Sequence, residues 1–352
     1  MPLFTSPANS LCILRLSAVG DICHAISAVQ AIQRAWPKTK ITWITGKLEA
    51  QLLQHIENVE VIVFDKKQGL KAYIALHKKL KNRHFDALLH MQAALRSSLV
   101  SFLIKAPIKI GFDKQRAKDG QRLFTNTKIE QSSSPHVLDG FMSFVKKLGI
   151  TDLQVQWTIN IPIEAQKKAE ETINHKKTFI ICPATSKAYK NWTKEGYTAL
   201  ANHALTKGFQ VLICGANTKI ERDFGTYIMR KTQQKSINLI AQTSLIELLA
   251  LIKESSLILA PDTGPTHMAT MVGTPVIGLY AHHNPKRTGP YHGLQNVVSV
   301  YEYFICKETH KTLQQLPWRA RVKDEHAMQH ISIDQVIKIF NSINQQESDN
   351  AK

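Results

Sequence analysis

The stretch SLILAPDTGPTHMATMVGTPVIGLY, Ser256–Tyr280, reads as strand, turn, helix and strand in direct succession. Its two apolar runs, SLILA and PVIGLY, show none of the polar alternation of a half-solvated strand, which places them in a sheet covered on both faces. Between them, Asp262, Thr263 and Gly264 form a turn, and Pro265 takes the first helical position, where its missing N–H costs nothing. The free N–H groups of that first turn are a ready site for a phosphate or pyrophosphate. Gly264 lets the backbone approach a ligand. His267, on the first helical turn, is placed to touch phosphate or sugar, while the negative charge of Asp262 suits it better to sugar hydroxyls. An isolated Asp-Thr-Gly turn would say little; the strand before it, Pro265 and His267 give it meaning.

The same alternation runs outward along the chain. LCILRL from Leu11, ITWIT from Ile41, VEVIVF from Val59 and FDALLHM from Phe85 each precede a longer amphipathic stretch, the signature of βαβ units on a parallel sheet. A basic, irregular region follows at Gly111 to Ser134, then a helical stretch from about Pro135 to Leu148 ending at Gly149. Alternation resumes with TFIIC at Thr178, FQVLIC at Phe209, INLI at Ile237, then SLILA and PVIGLY. The expectation is an α/β chain of two Rossmann-like, doubly wound domains facing a central cleft, residues 1–160 and 161–325, with the junction around Thr151 to Pro162. A last helical pattern, roughly His326 to Ile343 in a tail of residues 326–352, is long enough to pack back across the junction.

The bulk properties agree with this. A length of 352 residues exceeds what one core usually organises. With 45 Lys+Arg against 27 Asp+Glu, the formal charge of +18 fits nucleic acid, an anionic membrane or phosphorylated substrates. The five cysteines are scattered without the short spacing of a zinc or redox motif, and four sit in apolar patterns, so buried free thiols and a reducing cytoplasm are expected. The N-terminal MPLFTSPANS lacks the features of a secretory signal, and no apolar run reaches the roughly 18 residues of a membrane span, which leaves peripheral membrane contact. Walker, GxGxxG, GxSxG and HExxH patterns are missing, and no Asp-x-Asp occurs to hold a divalent cation. His326 and His330 have the spacing of a metal pair on a helix, but a solvated face explains them without a third ligand, so no metal site is expected.

Chemistry belongs in the loops at strand carboxyl ends. SAVGD, Ser17 to Asp21, follows LCILRL; Gly20 allows a tight turn that sets the Asp21 carboxylate at a helix N-terminus. Alone, Asp21 reads as a helix cap. Beside the other loops it reads as a general base that takes a proton from an acceptor hydroxyl attacking an anomeric carbon. His24, one turn on, is placed to orient that carboxylate or touch the acceptor, the alternative being a core or capping histidine. In CPATSKAYKNW, Cys182 to Trp192, the hydroxyls of Thr185 and Ser186 with Lys187 and Lys190 suit a diphosphate leaving group, unless this is only a solvated basic loop. Glu221, after FQVLIC, stands where a carboxylate commonly holds ribose hydroxyls. Gln92 and Arg96, with Lys114, Arg116, Lys118 and Arg122 of the basic loop, are candidates to hold an acidic acceptor.

Taken together, SAVGDICH, TSKAYKNW, PDTGPTHMATMVGTPVIGLY and GFDKQRAKDGQRLF resemble, in the same order and over nearly the whole chain, the lipopolysaccharide heptosyltransferase family. The resemblance implies the GT-B fold, ADP-L-glycero-β-D-manno-heptose as donor, and inverting heptose transfer with no cofactor or metal. It implies Asp21 as catalytic base and Thr185, Ser186 and Lys190 as pyrophosphate contacts. Glu221 matches the ribose position, and Asp262, Thr263, Gly264 and His267 match the donor-binding turn. The GFDKQRAKDGQRLFTN segment looks more like members acting on 3-deoxy-D-manno-octulosonic acid (Kdo) of Kdo-lipid A, an anionic, membrane-embedded acceptor, with Ser17, Gly20, His24, Gln92, Arg96, Arg116, Lys118 and Arg122 toward it. The chain departs from familiar members at Pro265 and Thr266, at Lys118, where they carry Arg, and at Cys182-Pro-Ala. A monomer on the cytoplasmic face of the inner membrane, without nucleic acid as partner, is the expectation. Transfer of a later heptose or another core sugar is the alternative within enzymes, and a non-catalytic basic Rossmann protein that binds nucleic acid is the alternative of another class.

Overall fold

The computed structural model describes residues 2–350, in two compact units, one up to Asn160 and one from Ile161 onward. The first holds strands β1 (Ser10–Leu14), β2 (Lys40–Thr45), β3 (Val59–Val63), β4 (Ala87–His90), β5 (Ile108–Gly111) and β6 (Thr127–Lys128). They form one sheet in the order β3-β2-β1-β4-β5-β6, every pairing parallel, with Leu11 opposite Ile41 on one side and Ala87 on the other. The second unit holds β7 (Thr178–Ile181), β8 (Gln210–Ile213), β9 (Ile237–Asn238), β10 (Leu257–Pro261), β11 (Val276–Tyr280) and β12 (Val297–Ser299). Its order, β12-β11-β10-β7-β8-β9, is again all parallel, with Phe179 opposite Leu257. Counted from its own first strand, each sheet has the 3-2-1-4-5-6 order of a doubly wound Rossmann fold, whose ligand crevice opens where the order reverses. That point falls between β1 and β4 in one unit and between β7 and β10 in the other.

Strand composition follows this placement. The central strands β1, β4, β7, β10 and β11 are apolar and buried nearly throughout because helices cover both faces. The outer strands β3, β6, β9 and β12 carry polar or half-exposed residues, as edge strands do. Three strands lie outside the sequence reading: β5, β6 and β12. Each is short and carries Lys, Thr or Ser, β6 nothing else, so none shows an apolar run. β5 ends where the region expected to be irregular begins, and β6 lies within it together with a 3-10 turn at Gln121–Leu123.

The helix Val137–Leu148 ends on Gly149 at φ +112°, where an added Cβ would lie 2.6 Å from the Phe4 carbonyl oxygen. Only glycine lets the N-terminal segment dock there, through Leu3 N–H to Lys147 O and Phe4 N–H to Leu148 O. The pattern expected to be helical from His326 instead opens with a 3-10 turn, Ala327–His330, and the helix proper spans Ile333–Asn350. Val336, Phe340 and Ile343 are buried in the second unit's core. The Phe340 ring meets Phe179 and Phe209, both at 5.2 Å, a burial that stabilises by about 1.5–3 kcal/mol. His326 and His330 flank the 3-10 turn and are exposed. Among the described residues no group of three or more His, Cys, Asp or Glu could hold a metal ion, and no helix is long and apolar enough to cross a membrane. All five cysteines are free; Cys12, Cys23, Cys182 and Cys214 are buried, and burial pushes the Cys23 and Cys214 thiols up to about 12, so they stay protonated and unreactive.

Candidate active site

In the first unit, the loop after β1 is pinned from both neighbouring strands. Arg15 N–H donates to Ile44 O at 3.2 Å, and the Arg15 side chain, buried, donates through Nη1 to Met91 O at 2.5 Å. Gln92 accepts the Leu16 N–H at 2.7 Å and donates to Ser17 Oγ at 3.3 Å, so it braces the loop that carries Asp21. Helix Val19–Ala35 then begins, with Asp21 in its first turn. The Asp21 side chain is 34% exposed, and its Oδ2 pairs with Arg15 Nη2 and receives the Ala18 N–H at 3.4 Å. Its Oδ1 has no hydrogen-bond partner among the described residues. A carboxylate held at one oxygen and open at the other is the arrangement a general base requires.

The remaining first-unit candidates divide. Ser17 is half-buried and Gly20 buried in the loop, and Arg96, Lys118 and Arg122 are exposed. His24 takes the core alternative left open above, and Arg116 differs from the sequence expectation. His24 is buried, one turn beyond Asp21, its ring edge-on to His136 at 5.2 Å. Arg116 is 2% exposed; Nη1 pairs with Asp113 at 3.0 Å and Nη2 donates to Ser134 O at 2.8 Å. It ties the basic loop to the chain entering helix Val137–Leu148 and offers no free guanidinium.

In the second unit, three loops converge on one carboxylate. Lys190, after β7, places Nζ 2.6 Å from Asp262 Oδ2 and 3.3 Å from Asp262 O, after β10. His283, after β11, brings Nδ1 to 2.6 Å from the same Oδ2. Burial alone would push the Asp262 carboxyl up, but the His283 hydrogen bond and the Lys190 charge outweigh it and hold it well below the usual carboxylate range. Burial pushes the His283 imidazole down, against the pull of Asp262. His283 is therefore neutral near pH 7 and donates its Nδ1 proton, and Lys190 supplies the charge that balances Asp262. The ammonium has three donors and spends two here, leaving one.

Around this cluster, Thr263 precedes helix Gly264–Val272 without capping it through its side chain, and Pro265 stands in the first turn. The Thr266 N–H is spent on Thr263 O at 3.2 Å and Pro265 has none, so the amides left toward an anion are those of Thr263 and Gly264. His267 is buried on that turn. Thr185 is largely turned inward: its Oγ1 donates to Lys187 O at 2.9 Å and its N–H goes to Asn191 Oδ1 at 2.7 Å, while Ser186 is exposed. Glu221 folds back on its own helix start, accepting the Ala216 N–H at 2.9 Å and the Thr218 hydroxyl at 2.5 Å, a capping arrangement. Sequence reasoning missed two residues. His283 belongs to the AHH that directly follows PVIGLY, a polar cluster at a strand's carboxyl end, and Arg15 is the one charge inside LCILRL.

The model of glycosyltransferase family 9 (heptosyltransferase) matches residues 73–318. The chain belongs to this family. It is a glycosyl-transfer enzyme of the heptosyltransferase group, in two Rossmann-like halves of the GT-B class. It is 47% identical over 338 residues to the lipopolysaccharide core heptosyltransferase OpsX of Haemophilus influenzae, covering 96% of this chain and 97% of that one. Among solved structures, a glycosyl transferase family 9 protein from Veillonella parvula superposes with a TM-score of 0.78 at 21% identity, over 97% of this chain and 100% of that one. The E. coli heptosyltransferase WaaC with ADP gives 0.74 at 19% identity, over 95% and 99%. For a heptosyltransferase, the loops at the two reversal points are where donor and acceptor chemistry belongs.

Proposed function

We propose that the protein transfers L-glycero-D-manno-heptose from ADP-heptose to Kdo of the lipopolysaccharide inner core, with inversion and without a metal ion. Asp21 Oδ1 removes the proton of the acceptor hydroxyl as that oxygen attacks the anomeric carbon. The bond from that carbon to the diphosphate breaks, and ADP leaves with the electron pair. Its growing negative charge is met by the remaining donor of Lys190 and by the amides at Thr263–Gly264. Asp262 binds sugar hydroxyls, Glu221 the ribose, and Arg96, Lys118 and Arg122 an anionic acceptor. The observation that carries this reading is the open Oδ1 of a braced Asp21 at the reversal point of the first sheet. The 47% identity to a lipopolysaccharide core heptosyltransferase along nearly the whole chain supports the substrate class. Work at the cytoplasmic face of the inner membrane, as a monomer, follows from such an acceptor.

The test is incubation of purified protein with ADP-heptose and Kdo-lipid A, followed by mass analysis of the lipid. The expected product gains one heptosyl unit. Transfer only to an already heptosylated core, or only from another sugar nucleotide, would replace this reading with the corresponding alternative.

A further inference from the structure

The helix Leu95–Ser101 packs inward through Val100 and three serines and turns its largest apolar side chains out. Its serines Ser97, Ser98 and Ser101 are buried. Ser97 Oγ donates to the Gln92 and Ala94 carbonyls at 2.8 and 2.7 Å, and Ser101 Oγ to Ser98 O at 2.6 Å. Its large apolar residues face outward: Leu95 is 57% exposed, Leu99 43% and Phe102, at the helix end, 66%. Their spacing of four and three residues sets them on one stripe. A second element extends the stripe. Phe124 packs edge-on against Phe102 at 4.7 Å, and its neighbour Leu123, closing the 3-10 turn, is 86% exposed.

Isolated exposed leucines are ordinary; four exposed large apolar side chains on two elements joined through the Phe102–Phe124 contact are not. The charges beside it are mostly cationic; Asp119, ahead of the 3-10 turn, is the nearby carboxylate and lies 3.8 Å from Lys118. Arg96 adjoins Leu95 and Arg122 adjoins Leu123; both are exposed and neither has an ion pair among the described residues. No carboxylate occurs in the sequence between Asp86 and Asp113. Apolar tips with a cationic surround are the surface chemistry that inserts into an anionic lipid headgroup layer, where apolar burial and charge attraction add. An acidic protein partner would meet the cations but leave the aromatic and leucine tips without a match.

We propose that the face formed by Leu95, Leu99, Phe102, Leu123 and Phe124, flanked by Arg96 and Arg122, docks the first unit onto an anionic bilayer surface. This deepens the reading of a lipid-linked acceptor given above, since the same two segments carry the acceptor candidates Arg96 and Arg122. The helix buries Val100 and three serines, while its larger apolar side chains Leu95 and Leu99, with Phe102 at its end, stay on the outer face.

The experiment measures co-sedimentation of the full-length protein with vesicles of phosphatidylcholine alone and of phosphatidylcholine with about one-third phosphatidylglycerol, without donor or acceptor, at low and high salt. Wild type binds the anionic vesicles and not the neutral ones. The variant L99S/F102S/L123S, whose altered side chains are exposed and whose unfolding midpoint stays unchanged, binds at least about tenfold more weakly even at low salt. It retains wild-type transfer to a water-soluble, deacylated Kdo acceptor. Variant R96Q/R122Q loses salt-sensitive binding. Equal vesicle binding by wild type and the apolar variant would overturn the proposal. So would a requirement for acceptor lipid in the vesicle, or a wild-type dimer that the apolar variant dissociates, which would assign the face to a second copy. Because binding is read without substrates, its failure is separate from a failure of the transferase reading.

Discussion

The two halves have the same strand order and each presents an aspartate at its reversal point, yet the two carboxylates are held in opposite ways. Asp21 is one-third exposed and gripped by Arg15 at a single oxygen. The Asp262 side chain is 13% exposed, and Lys190 and His283 both converge on its Oδ2. The first arrangement leaves a basic oxygen open to an incoming hydroxyl. The second ties three loops together and fixes the Lys190 ammonium proposed above to receive the leaving group. Asp21 follows the first strand of its sheet and Asp262 the fourth of its own, so the two reversal points are lined from different strands, and in the proposed reaction one serves proton transfer and the other electrostatic scaffolding.

The sharpest way to break this contrast is Asp21→Ala. Transfer should fall about a thousandfold, as loss of a general base costs, while calorimetric ADP affinity is unchanged; wild-type turnover would remove Asp21 from the chemistry. Lys190→Ala should lower kcat by about 10–100-fold and weaken ADP binding together, since a charged donor to the leaving group is lost in both states. Unaltered kinetics would confine Lys190 to holding Asp262.

The scaffold role of Asp262 has a pH signature. Its folded carboxyl lies below the usual carboxylate range, so the stability it contributes is present above about pH 4, the unfolded value, and drains away as pH falls toward the folded one. Asp262→Asn should therefore be less stable at pH 7, by about 1–3 kcal/mol, and should show a shallower decline of its urea midpoint from pH 5 to 3. Parallel curves for variant and wild type would contradict the held carboxylate. The smallest effect belongs to Glu221→Gln: a rise in donor KM of a few fold, with stability within about 1 kcal/mol as one cap weakens.

Much of this was legible in the sequence. The central strands announced themselves because burial on both faces demands uninterrupted apolar runs, and Gly149 and Pro265 marked helix boundaries through backbone constraints that act locally. What escaped depends on partners distant in the chain. The short edge strand β12 is defined by pairing with β11, not by its own composition. Arg116 reads as a free cation until Asp113 and Ser134 enclose it. His283 gains meaning only when three loops meet. The helix Leu95–Ser101 buries three serines beside Val100 and leaves Leu95 and Leu99 outside, so its polarity pattern does not mark the inner face.

The burial of Val336, Phe340 and Ile343 in the second core bears on how the polypeptide is made. The first unit has every residue it needs once Asn160 has left the ribosome, and can fold while translation continues. The second must wait nearly two hundred residues longer, with Phe179 and Phe209 exposed until Phe340 emerges to cover them. A ribosome stalled between residues 300 and 330 would therefore carry a finished first unit beside a sticky, protease-sensitive second one.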